Sequence, residues 1–442
     1  MTNRTRIDRV SDRTAALVIL IFGLSSLLWG IHSRIAGLPD FRAVYYAARC
    51  AVSGENPYNE AVFLARYKVE NGEFPTTPRD LQNFLQGIPI CVNPPTTLLF
   101  VLPFTWLGWA SASAIWIFLQ FASMSLGAFF VWKMAGEFSP RLSLFLIAFL
   151  MANCQSLYRM GNISACVIGL SIFAFWSFRK KYLEAAGVLA LAIGLALKPQ
   201  VAGVLWFLCM LVDKHYRKRA LQAFSVAFLL CVLSVGWISR ISPEWLRDWR
   251  GNIAQTSARG GINDPGPQST GNHGVNRIIS LQTLLSNFDD NPEFYNSISM
   301  GLSALLLATW CYYFHKAPDP SERLWLGMAS LVPLALLPVY HRQYDAKLLL
   351  LIIPACALLW EKTHRYRAVA LVLTVCLLTA SADIPGAIIA IFAEKLQSMT
   401  AFTGSRFFLA LIENPVPVCI LFFAAFYLWL LRERSSAKGC AS

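Results

Sequence analysis

Apolar runs recur about twelve times along the 442 residues, and that recurrence restricts the fold more than any other feature. They fall near residues 15–33, 112–133, 142–158, 163–178, 183–197, 199–212, 219–239, 297–315, 323–340, 345–360, 367–382 and 415–431. A helix crosses the hydrocarbon core of a bilayer with about 20 largely apolar residues, all of its backbone groups bonded internally. The pattern predicts an all-α polytopic membrane protein, one integral domain over residues 1–442. Only 14% of the residues are charged, against 56% hydrophobic, so a soluble reading is excluded.

The segment "PPTTLLFVLPFTWLGW", residues 94–109, is apolar enough to suggest a further crossing. Charge parity argues against it. If it stays on one side, the clusters Arg179-Lys180-Lys181, Lys214 to Arg219, Lys362 to Arg367 and Arg432 to Lys438 share a face with Arg4 to Arg13. With the linkers around Lys133 to Arg141 and Lys316 to Arg323, the intracellular stretches then hold 21 of the 38 Lys and Arg, the bias expected of cytoplasmic loops. If 94–109 crosses, every later cluster flips outside. The segment also holds three prolines and is short for a span. It reads as an interfacial or re-entrant element on the outer side. Long outer loops then cover about 34–111, 240–296 and 383–414, with short amphipathic helices expected on them, and both termini are cytoplasmic.

The net charge of +13 does not point to nucleic acid, because the basic residues lie between apolar runs. Eleven cysteines form no CxxC or Cys/His pattern, so no metal site is expected. Cys50 and Cys91 share the first outer loop and are either a pair or two free thiols. The N-terminal "AALVILIFGLSSLLWG" follows four arginines without a clean small-x-small site, as in an uncleaved signal anchor.

Four polar stretches on the outer side are candidates for chemistry. In "LPDFRAVYYAARCAVSGENPY", Asp40 is placed to cap a helix from Phe41 to about Ser53. Phe41, Tyr45, Ala48 and Val52 fall on one face, as in an amphipathic helix lying on the membrane. Asp40 is then either a structural cap or a general base. Lys198, in "AIGLALKPQVAGVLW", sits between two apolar arms of about 15 residues, at the tip of an expected helical hairpin. Its ammonium either snorkels to the interface or holds an anionic partner such as a lipid phosphate. The turn "YHRQYD" gathers His341, Arg342, Tyr344 and Asp345. A solvated turn accounts for them; so does a site in which Arg342 binds phosphate and His341 donates to a leaving group or oxyanion. The glycine-rich "GGINDPGPQSTGNHGVNR" offers Asn272, His273, Asn276 and Arg277 as sugar hydrogen-bonding groups, and "RMGN" ends in Asn162. No glycine-rich phosphate loop, nucleophile elbow or zinc motif occurs.

Taken in order, these pieces resemble glycosyltransferase family 87, membrane enzymes of the GT-C type. The resemblance rests on "DFRAVYYAARCAVSGENPY", "NPPTTLLFVLPFTWL", "RMGNISACVIGLSIFAF", "AAGVLALAIGLALKPQ" and "YHRQYDAKLLLLIIP", spread over residues 15–360. It implies a GT-C-like bundle of about twelve transmembrane helices and a polyprenyl-phosphate-linked sugar as donor. By position it implies Asp40 as catalytic base, Lys198 as a donor-phosphate ligand and His341 as a catalytic histidine. Gly161-Asn162 stands where the family more often has Gly-Gln, and "GNHG" where an Asn-Gln-Ser type motif is common.

The expected activity is transfer of a hexose, mannosyl-type by family analogy, to a lipid or glycan hydroxyl on the outer face of a plasma membrane, with inversion. Asp40 and His341 are the expected catalytic residues, with Lys198 and Arg342 on the phosphate. Tyr45, Tyr46, Asn162, Asn272, His273 and Tyr344 are expected to bind sugar or acceptor. Membrane lipids are the other partners; no nucleic acid, cofactor or metal is expected. A secondary transporter or flippase, and a lipid-linked glycan polymerase or ligase, are the rival readings.

Overall fold

The computed structural model describes residues 10–32, 37–71, 90–269, 278–388, 391 and 414–436. Nearly all of them are helical. The chain opens with α1 (Asp12–His32), α2 (Pro39–Val52), α3 (Glu60–Asn71) and α4 (Pro95–Val101), which tightens into a 3-10 turn over Leu102–Trp106. Next come α5 (Trp109–Ala135), α6 (Pro140–Met151), α7 (Gln155–Met160), α8 (Ser164–Lys180), α9 (Glu184–Leu197), α10 (Pro199–Val212), α11 (Lys214–Ile241) and α12 (Trp245–Ser257). The last part holds α13 (Leu281–Leu285), α14 (Pro292–Lys316), α15 (Pro320–Leu334), a 3-10 segment (Asp345–Ile352), α16 (Ile353–Lys362), α17 (Arg367–Ala380) and α18 (Pro415–Ser436). Strands β1 (Ile278–Ile279) and β2 (His341–Arg342) pair antiparallel, Ile279 opposite His341.

Among the described residues, six helical stretches are long and apolar enough to cross a membrane: Asp12–His32, Trp109–Ala135, Pro140–Met160, Lys214–Ile241, Pro292–Lys316 and Pro415–Ser435. The remaining expected spans are also helical, but shorter. Two of the expected runs, one long and one short, are not continuous. The run at 142–158 breaks at Ala152–Cys154, where Asn153 Nδ2 donates back to Phe149 O and the Cys154 amide donates to Ser26 Oγ on α1. The run at 345–360 begins as an eight-residue 3-10 segment, long for that geometry, and becomes α-helical at Ile353 with Pro354 in its first turn.

Ion pairs tie together one end of the bundle. Lys133 at the end of α5 meets Asp12 at the start of α1 at 2.9 Å. Glu137 after α5 holds Arg179 and Lys180 at the end of α8, at 2.6 and 2.8 Å. Glu184, opening α9, pairs with Arg219 and His215 of α11. Glu322 of α15 meets Lys362 of α16 and Arg434 of α18, each at 3.4 Å. The arginine of the second group also stacks over Trp325 of α15, joining these contacts into one face. Helices that begin or end there present their other ends at the opposite face. That face carries Asp40, Asn162, Lys198 and Asp345.

Segment 94–109 lies at this second face at both of its ends. Thr96 donates to Ala196 O, two residues before Lys198, and Leu107 O accepts from the Tyr45 hydroxyl at 2.7 Å.

Candidate active site

The first loop differs from expectation in two ways. Asp40 is not the cap of its helix. Leu38 holds that position in the left-handed region (φ 46, ψ 53), and Pro39 opens α2, so Asp40 lies inside the first turn. Proline is favoured there because its missing N–H would have had no helical partner. Nor does α2 lie on a surface with one face free. Phe41, Tyr45, Tyr46, Ala47 and Ala48 are all buried, and only Val52 of the expected apolar stripe is exposed.

The carboxylate of Asp40 is thereby aimed across the fold. Its Oδ2 accepts a 2.6 Å hydrogen bond from Asn162 Nδ2. Gly161 makes the approach possible. It closes α7 with φ 65, and a β-carbon there would stand 3.0 Å from the β-carbons of Leu38 and Phe41. Any other side chain would be strained in that conformation and would push α2 away. Trp116 of α5 also donates to the Gly161 carbonyl at 2.8 Å and stacks on Phe41, its ring centroid 4.4 Å away.

Asn162 is the hub. Its Oδ1 accepts from the Ser164 amide at 3.0 Å and Ser164 Oγ at 2.6 Å, which turns the chain into α8. The same oxygen faces Lys198 Nζ at 3.3 Å. Lys198 sits at the tip of the α9–α10 hairpin, as expected, closing one helix and preceding Pro199 of the next. Its ammonium does not reach outward. It donates to Asp345 Oδ1 at 2.6 Å and Ser164 Oγ at 2.7 Å, and lies 5.0 Å from the centre of the Tyr344 ring.

Asp345 completes the cluster. It is 2% exposed, so its charge requires partners. Lys198 occupies one oxygen. The other faces His341 Nδ1 at 3.3 Å and accepts the Arg342 amide at 3.3 Å. His341 is fully buried, and its Nε2 has no hydrogen-bond partner among the described residues. Arg342 extends to the second outer loop, where its guanidinium donates to Ile262 O at 2.7 Å and Asn263 Oδ1 at 3.2 Å.

The side chain of Asp40 keeps part of its surface open, yet the protein packed around it raises the carboxyl above its ordinary pKa. The Asn162 hydrogen bond and the charges of Arg342 and Lys198 oppose that rise without cancelling it. A carboxyl tuned upward is a better proton acceptor at its working pH.

Of the residues selected from sequence, Asp40, Asn162, Lys198, His341, Arg342 and Tyr344 come together here. Tyr45 and Tyr46 are placed differently. Tyr45 gives its hydroxyl to Leu107 O, and Tyr46 packs edge-on to Phe63 and Tyr67. Asn272, His273, Asn276 and Arg277 lie outside the described residues. Cys50 and Cys91 are buried free thiols. Two members were assigned no role from sequence. Asp345 stands four residues after His341 in the turn already noted. Ser164 follows Asn162 by two in "GNIS", the spacing of an Asn side chain that accepts the amide opening a helix.

Residues 92–322, just over half the chain, match glycosyltransferase family 87. The chain belongs to that family. It is a multi-pass membrane glycosyltransferase, and Asn162, Ser164 and Lys198 fall within the matched range. Asp40, His341, Arg342 and Asp345 lie outside it and are tied to the family residues by the contacts above. No curated protein and no solved structure matches the chain.

Proposed function

We propose that this enzyme transfers a hexose, mannose by family analogy, from a polyprenyl-phosphate donor to a hydroxyl of a lipid or glycan on the outer face of the plasma membrane. One observation carries the reading. A carboxyl with raised pKa is joined through Asn162 to an ammonium at a hairpin tip, beside an arginine and a buried histidine. Base and ammonium are thus bridged by one side chain at the face opposite the basic loops, where a lipid-borne phosphate and its sugar can meet them.

In the proposed step the acceptor hydroxyl gives its proton to Asp40 and its oxygen attacks the anomeric carbon. The bond from that carbon to the phosphate oxygen breaks, and its electron pair leaves with polyprenyl phosphate. Lys198 and Arg342 stabilise the growing charge on the leaving oxygen. Lys198 is shared with Asp345, so it keeps the site neutral before the donor arrives and turns toward phosphate when the donor binds. The single displacement inverts the anomeric centre.

Asp40→Asn tests the reading. Asn can keep an oxygen toward Asn162 Nδ2, so the packing should survive, but an amide takes no proton at neutral pH. Turnover of polyprenyl-phosphate mannose and polyprenyl-phosphate glucose by purified protein, with a membrane lipid extract as acceptor, should fall roughly 10²–10⁴-fold. Thermal unfolding should stay close to that of the wild type. A variant that unfolds and turns over like the wild type would remove Asp40 from the mechanism.

A further inference from the structure

A second buried polar network lies beside the site and takes no part in the step just described. Lys347 Nζ meets Asp383 Oδ1 at 2.9 Å and Ser381 O at 3.1 Å. Asp383 Oδ2 accepts from the Ser156 amide at 2.6 Å, and its Oδ1 from the Ser156 hydroxyl at 3.0 Å. Lys347, Asp383 and Ser156 are 2%, 5% and 2% exposed. An ion pair so far from water recovers its desolvation cost only with good geometry, and apolar residues of similar size commonly serve stability as well. Its placement is what distinguishes it.

Ser156 lies in the first turn of α7, the short helix that Gly161 closes before the chain reaches Asn162. Lys347 lies two residues after Asp345, in the 3-10 segment that Asp345 opens. Asp383 therefore grips the two elements whose ends carry Asn162 and Asp345. Two neighbouring contacts add to this grip. Asn153 Oδ1 accepts the Ile384 amide at 3.2 Å, and a β-carbon on Gly386 would stand 2.7 Å from Gln343 Nε2, in the turn between His341 and Asp345.

We infer that Lys347, Asp383 and Ser156 form a positioning network that sets the distance between Asn162 and Asp345, and so the orientation of Asp40 and Lys198 toward the reacting atoms. The inference rests on the transfer reaction proposed above. None of the three residues touches substrate. They act through the 3-10 segment and α7, and an error of about 1 Å in such a site lowers rate by as much as 10²-fold.

Two variants test it in purified enzyme, with polyprenyl-phosphate mannose and polyprenyl-phosphate glucose as donor probes. Lys347→Met combined with Asp383→Leu removes both charges at once and strands neither. Ser156→Ala keeps the ion pair and cuts one of its links to α7. Each should unfold within a few degrees of wild type and hold its KM for donor within about twofold. The rate constant kcat should fall about tenfold or more in the double variant and about threefold in Ser156→Ala. Wild-type kcat in a folded variant would overturn the inference; so would losses that follow the amount of folded protein, because the network would then be packing alone.

Wild type and Asp40→Asn run in parallel separate the two levels of the argument. If wild type consumes neither donor, the transfer reading fails. Hydrogen exchange of Asp383→Asn then decides the network without substrate. Faster exchange confined to residues 155–164 and 341–352 supports it, and unchanged or uniformly faster exchange overturns it.

Discussion

The orientation of the Asn162 amide follows from its neighbours. A backbone N–H and an ammonium can only donate, and both the Ser164 amide and Lys198 Nζ face Asn162 Oδ1. Nδ2 is therefore turned toward Asp40. That hydrogen bond favours the carboxylate form, so it lowers the Asp40 pKa against the upward push of burial. The sign for activity follows: Asp40 must be ionised to accept a proton, so kcat/KM should fall with falling pH at a pKa raised from the ordinary aspartate value. Asn162→Ala removes the stabilising bond and should move this acid limb upward, as expected from losing a hydrogen bond to a charged group. A pH–rate profile of the variant measures it; an acid limb left in place would dissociate Asn162 from the base. At this scale the sequence singled out Asp40 but misread its place in the helix. A Pro-Asp pair suits an N-cap and a second helical position equally well, and only the left-handed Leu38 separates them.

The α9–α10 hairpin shows how an element sets the charge state of a side chain. Two arms of 14 residues each stop at Lys198 because Pro199 cannot continue the first helix but can begin the next. The hairpin was legible from arm length and the Lys-Pro tip. The partner of its lysine was not, because Asp345 lies 147 residues away and no local pattern links them. Lys198→Gln should leave Asp345 buried without its cation, which costs about 3–5 kcal/mol for a pair of this kind. Lys198→Arg keeps the charge. Thermal unfolding and donor turnover should therefore fall together in Lys198→Gln and much less in Lys198→Arg. Pairing Lys198→Gln with Asp345→Asn should restore most of the stability while turnover stays low. Recovery of both would make the pair structural and remove Lys198 from phosphate binding. The burial of α2 was missed for a related reason: adjacent tyrosines followed by alanines suit a membrane surface and a helical interior alike, and only tertiary contact with α4 and α5 decides.

At the scale of the whole molecule, the ends of the helices carry opposite chemistry. The basic linkers meet Glu137, Glu184 and Glu322 at one end, while the Asp40 cluster sits at the other. Charge parity in the sequence anticipated this division, because positive clusters recur after every second apolar run when 94–109 is left out of the count. The structure adds that both ends of 94–109 touch the Asp40 end. Six helical stretches among the described residues have the length to cross a bilayer, and the shorter ones depend on packing within the bundle. Orientation relative to the membrane can be read directly by labelling. Ser111 opens α5 at the site end and Lys218 lies in the first turns of α11 at the basic end; both are exposed. With reactive native thiols such as the exposed Cys376 replaced, Ser111→Cys should react with an impermeant maleimide added to intact cells. Lys218→Cys should react only after permeabilisation. The reverse pattern would place Asp40 and its cations in the cytoplasm and transfer the reaction to the inner leaflet. Labelling of both from outside would mean that one of the intervening helices does not cross.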